Sequence, residues 1–67
     1  MIEIKVNGDA LTVPEDAKLT DLVAQMDLEG QRFAIEVNED IVPRSEHAQY
    51  RLHANDQVEI VQAIGGG

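Results

Sequence analysis

Ile2, Ile4 and Val6 alternate with Glu3 and Lys5, the two-residue period of a strand with one buried face. Asn7-Gly8 follows at once, and both residues tolerate the positive φ angles of a tight hairpin turn. Leu11 and Val13 supply the returning strand, which Pro14 ends. From Leu19 the period lengthens: Leu19, Leu22, Val23 and Met26 fall at i, i+3, i+4 and i+7, the apolar stripe of a helix. Thr20 and Asp21 lie in its first turn, where a negative charge complements the helix dipole, and Gly30 is placed to stop it with a left-handed cap. Phe33, Ile35 and Val37 resume the strand period, Asn38-Glu39-Asp40 reads as a polar turn, and Ile41-Val42 as a short strand closed by Pro43. Ser45 to Tyr50 is too short for a stable helix and reads as a single turn over the sheet. Asn55-Asp56 turns the chain into a last strand whose inward residues are Val58 and Ile60.

Strand, strand, helix, strand, strand, strand is the order of an α+β domain, a mixed sheet of about five strands with one main helix packed on it. The predicted folded unit runs from residue 1 to 62 and a flexible glycine tail from 63 to 67. With 67 residues, 43% of them hydrophobic, the chain is one small domain near the lower limit of independent stability. Phe33 and Tyr50 are its aromatics and it has no cysteine, so the core is built from Val, Ile, Leu and Ala without disulfides. No apolar run approaches the roughly 18 residues of a membrane span, and the Met1-Ile2-Glu3-Ile4 start lacks the basic flank of a signal peptide. A cytoplasmic protein is expected. Thirteen acidic against five basic residues give a net charge of -8. Nucleic acid and anionic membrane are thereby disfavoured, since affinity for either comes from Lys and Arg. The charge fits protein partners with basic surfaces, and equally fits a role in solubility alone.

The sequence closes on Gly65-Gly66-Gly67, and only Gly8 and Gly30 occur elsewhere. At about 7% glycine, a terminal triplet arises by chance in about three chains per ten thousand. Such a segment cannot pack through side chains and loses much freedom on ordering, but it can enter a narrow slot. Two readings fit: an end whose α-carboxylate at Gly67 is the reactive group, or a frayed terminus without a role. Alternation places Val61 outward, where with Ala63 and Ile64 it would form an apolar docking patch beside the tail; the alternative is an isolated surface valine.

Other candidates carry less. His47 and His53 have neither cysteine partners nor helical i, i+4 spacing, so metal binding is not expected. Arg44 is read as pairing with Glu46 or another nearby acid. Glu39 and Asp40 sit on an open turn with nothing to raise a carboxyl pKa. One Tyr, one Ser, two Thr and two His give no supported nucleophile-base-acid set, so the chain reads as a substrate for enzymes rather than an enzyme.

Element order, length and glycine end together resemble the ubiquitin-like β-grasp family, and within it the sulfur carriers of thiamine biosynthesis. The most specific segments are Val37-Asn38-Glu39-Asp40-Ile41-Val42-Pro43-Arg44, similar to the family's Asn-x-x-hydrophobic-Val-Pro-Arg turn, and Asp56 to Val61 running toward the glycines. The small subunit of molybdopterin synthase shares fold and tail. Those chains are usually longer and often carry Pro-Pro before the final glycines, whereas the prolines here are Pro14 and Pro43. A ubiquitin-like protein modifier is the other alternative.

The resemblance implies that Gly67 is adenylated by a ThiF-like enzyme using ATP and Mg, with no cofactor bound by this chain. A donor such as a cysteine desulfurase supplies sulfur, and the resulting thiocarboxylate passes it to a ThiG-like thiazole synthase. Gly65 and Gly66 thread the tail, and the free carrier is a monomer. Ordering five tail residues costs about 1–2 kcal/mol each, comparable in sum to the roughly 8 kcal/mol of a micromolar complex. The folded body must therefore dock as well, leaving the tail to reach about 17 Å beyond it.

Overall fold

The computed structural model of the chain describes residues 1–62. Two hairpins and one helix precede the strand that joins them. β1 (Ile2–Val6) and β2 (Asp9–Val13) pair antiparallel, with Val6 opposite Asp9 across the two-residue turn. Asn7 and Gly8 take φ of 51° and 88°, the mirror-image turn whose twist matches the strands. β3 (Phe33–Val37) and β4 (Asp40–Val42) repeat the device, with Asn38 and Glu39 at φ 52° and 74° and Val37 opposite Asp40. β5 (Gln57–Gln62) then enters between the hairpins, parallel to β1 and antiparallel to β3, giving the order β2-β1-β5-β3-β4.

Two asparagines fix that last strand. The β1–β5 ladder pairs Lys5 with Gln57 and Val6 with Val58. Where the β1 main chain turns away, the Asn7 side chain continues the pairing: its Oδ1 accepts from the Ile60 N–H at 2.8 Å and its Nδ2 donates to the Ile60 carbonyl at 3.2 Å. Across the sheet, Asn38 Oδ1 accepts from the Gln57 N–H at 3.0 Å and its Nδ2 donates to Asp56 Oδ1 at 3.1 Å. Asp56 is buried, and its Oδ2 accepts from the His53 N–H at 2.8 Å. A buried carboxylate is tolerated because both oxygens are hydrogen-bonded.

Helix α1 (Leu19–Gln25) lays its predicted stripe on the sheet, burying Leu19, Leu22 and Val23. These join Ile4, Val6, Val13, Ile35, Val37, Val42, Leu52, Val58 and Ile60 in one aliphatic core. At the helix start, the Asp21 carboxylate accepts from the Lys18 N–H at 2.8 Å. The end differs from the expectation. Asp27, not Gly30, is the left-handed residue that caps the helix, at φ 59°. The Asp27 N–H donates to the Ala24 carbonyl at 3.1 Å and the Leu28 N–H to Val23 at 3.0 Å, the paired bonds of a Schellman cap. Leu28 packs against the core, so burial of this residue sets where the chain must turn. Gly30, at φ 81°, serves the next turn, which the Gln31 N–H closes onto the Leu28 carbonyl.

The short segment after Pro43 is a 3-10 turn, Arg44–Glu46, continued by i to i+3 bonds as far as Tyr50. Ala17 and Leu19 are tied to the 50–52 segment through Leu52 N–H to Ala17 and Leu19 N–H to Tyr50, at 2.9 and 3.0 Å. No helix among the described residues is long and apolar enough to cross a membrane.

Candidate functional site

The end of β5 is where the predicted features converge. Val58 and Ile60 are buried, as the period requires, while Val61 is 60% exposed on the face away from α1. Cross-strand register builds a surface around it. Ala34 lies directly opposite Val61, Glu36 lies opposite both Glu59 and Ile41, and Ile41 is 70% exposed. Residues opposite one another share a face. Val61, Ala34 and Ile41 thus form an apolar strip beside a pair of carboxylates. Like charges directly opposed are unfavourable in a sheet; Glu59 is exposed and Glu36 half-buried.

Ala63, Ile64, Gly65, Gly66 and Gly67 lie outside the described residues. The sheet brings residue 62 to the end of its central strand, with Val61 at the predicted outward position.

Arg44 corrects the expectation of a pairing with Glu46. Its guanidinium donates to the Gln31 carbonyl at 3.0 Å and lies over the Phe33 ring, 4.5 Å from the centroid. In a 3-10 turn, with three residues per turn, positions two apart do not share a face, so Glu46 is directed elsewhere. The ion pair that the described residues form joins the Met1 ammonium to Glu15 at 3.7 Å. His47 is buried, with Nε2 2.9 Å from the Val42 carbonyl and its ring stacked on Phe33 at 6.0 Å between centroids and 14° between planes. The described residues contain no cluster of three or more His, Cys, Asp or Glu able to hold a metal. Sequence reading missed Asp56, Asn7 and Asn38 as side chains that organise β5; only the turn chemistry around them was visible. Burial raises the Tyr50 phenol above its usual value, with the Asp56 and Asp40 carboxylates adding to the effect.

A family model, ThiS, matches residues 2–67. The chain belongs to the ThiS family. It is 30% identical over 66 residues to the sulfur carrier protein ThiS of Escherichia coli, an alignment covering 98% of this chain and all of that one. A crystal structure of the thiamine biosynthesis protein ThiS from Geobacter metallireducens superposes with a TM-score of 0.83 at 25% identity, over 98% of this chain and 100% of that one. A thiazole synthase of Paramagnetospirillum magneticum is 30% identical over 66 residues, but this chain spans only 20% of its length. The fold is the β-grasp fold of the ThiS family, and the role is that of a sulfur carrier in thiamine biosynthesis.

Proposed function

We propose that the carrier works through its C-terminal glycine: the Gly67 carboxylate is adenylated, converted to a thiocarboxylate and spent as the sulfur source for a thiazole ring. A carboxylate oxygen is a poor leaving group and needs activation. In a ThiF-like enzyme with ATP and Mg, a Gly67 oxygen forms a bond to the α-phosphorus as the bond to pyrophosphate breaks. A persulfide sulfur then attacks the carbonyl and AMP leaves. A thiol cleaves the resulting S–S bond, becoming part of a disulfide and releasing the thiocarboxylate. Gly65 and Gly66, without Cβ atoms, let the chain pass a narrow channel and leave the carbonyl open to attack. The chain is a cosubstrate in this scheme.

The observation that carries the reading is the exposed Val61 next to the end of a central strand, in a chain matched to its last residue by the family model. The strip of Val61, Ala34 and Ile41, with Ala63 and Ile64 that follow Val61 in the sequence, docks on the adenylating enzyme, and Glu36 and Glu59 face basic groups of that partner. The Paramagnetospirillum thiazole synthase, with a segment similar to this chain, supports a ThiG-like synthase as the acceptor. Intact mass after incubation with a ThiF-like enzyme, ATP, Mg and a cysteine desulfurase with cysteine tests the scheme. Replacement of one oxygen by sulfur is expected, and deletion of Gly67 abolishes it. Linkage of the intact chain to lysines of other proteins would instead identify a modifier.

A further inference from the structure

We infer that Arg44 is a positioning residue that holds Val61 and Gln62, the end of β5, in place through the first residues of β3, an inference that rests on the carrier reading for its functional consequence. The last two residues of β5 are held from one side only. On the β1 side, backbone pairing stops at Val6 with Val58, and the Asn7 side chain reaches Ile60. Val61 and Gln62 are paired only by Ala34 and Phe33 of β3. The placement of Val61 and Gln62 therefore depends on whether the first residues of β3 stay in place.

That start is exposed to fraying, since a loop containing Gly30 at positive φ leads directly into it. Its anchor lies on the far side of the β3–β4 hairpin. His47 at 2.9 Å from the Val42 carbonyl ties the segment after Pro43 to the end of β4. From this tied segment the Arg44 guanidinium reaches back to the Gln31 carbonyl and covers the Phe33 ring, while the His47 ring stacks on it. One cation thus clamps both the residue two before Phe33 and the Phe33 side chain. The same Phe33 backbone opposes Gln62. A lost cation–π contact of this kind corresponds to about a 3- to 30-fold change in local opening.

Hydrogen exchange and adenylation kinetics on the full chain with Arg44→Ala, Arg44→Lys and Phe33→Leu test this. The Ala34 and Val61 amides, which face one another across β3 and β5, lose about 3- to 30-fold protection in Arg44→Ala, while the Ile60 amide, held by Asn7, and those of β1 and β2 keep theirs. With a ThiF-like enzyme, kcat falls because productive entry of the tail is impaired, and KM rises less than in Val61→Asp, since the apolar side chains of the docking strip are all kept. Arg44→Lys, which keeps a cation over the ring but loses the planar fork, recovers part of both effects. Combining Arg44→Ala with Phe33→Leu adds little to either single change. An exchange increase spread evenly over the whole sheet, or an unchanged kcat, overturns the inference. If the unaltered chain is not adenylated, the carrier reading falls and the exchange pattern alone decides the positioning role.

Discussion

Replacing Val61 by Asp separates docking from folding. The side chain is 60% exposed, so surface substitution there costs the fold within about 0.5 kcal/mol. Complete burial of a valine is worth about 1.5–3 kcal/mol, and the fraction still exposed in the free chain can contribute about 1–2 kcal/mol when a partner covers it. The introduced carboxylate must also be desolvated at the interface, beside Glu59 and Glu36, which already face one another. A loss in kcat/KM for adenylation of at least about 5- to 30-fold follows from the apolar term alone, at 1.4 kcal/mol per decade. It should be carried by KM, with thermal unfolding unchanged. Val61→Ala, which keeps the surface neutral, should lose less. Pyrophosphate release measured across a range of carrier concentrations gives both constants. An unchanged KM in Val61→Asp, with normal melting, would show that this strip plays no part in docking.

Asp27→Gly should stabilise the chain by about 0.5–1 kcal/mol, because a left-handed helix cap is held by a residue with a Cβ. Scanning calorimetry should register a rise of several degrees, and a fall would contradict the cap. Leu22→Ala removes a fully buried side chain and should cost about 2–5 kcal/mol, a large part of what a domain of this size possesses. Urea unfolding should show a much lower midpoint. The raised Tyr50 pKa stabilises the fold below the ordinary tyrosine value of 10.0, and that contribution is lost as pH rises through the higher folded value. Tyr50→Phe should flatten this alkaline decline in denaturation midpoints between about pH 9 and 12; an identical decline in both proteins would assign it to other groups.

The strands were legible because their alternation is undisturbed: each predicted inward residue of β1, β3 and β5 beyond the strand ends is buried. The outward position of Val61 follows from the same period. The helix end was not legible, because glycine is the strongest local signal for a left-handed cap, whereas the deciding force is packing of Leu28, three residues after Gln25, against the core. Arg44 was misread for a related reason. Sequence proximity favours Glu46, but the guanidinium is satisfied by Gln31 and Phe33, which only the folded hairpin brings near. Asn7 and Asn38 were read as turn residues. Their second task, hydrogen bonding to β5, involves partners 53 and 19 positions away and leaves no local trace.

Because β5 fills the gap between two hairpins, the sheet cannot close until nearly the whole described chain has been made. A product broken off before Gln57 would hold two ribbons with their inner edges open and would lack Val58 and Ile60 at the centre of the core, a target for proteolysis. The architecture therefore acts as its own inspection step: whatever survives as a folded body already contains the strand that precedes the glycine-rich end of the sequence.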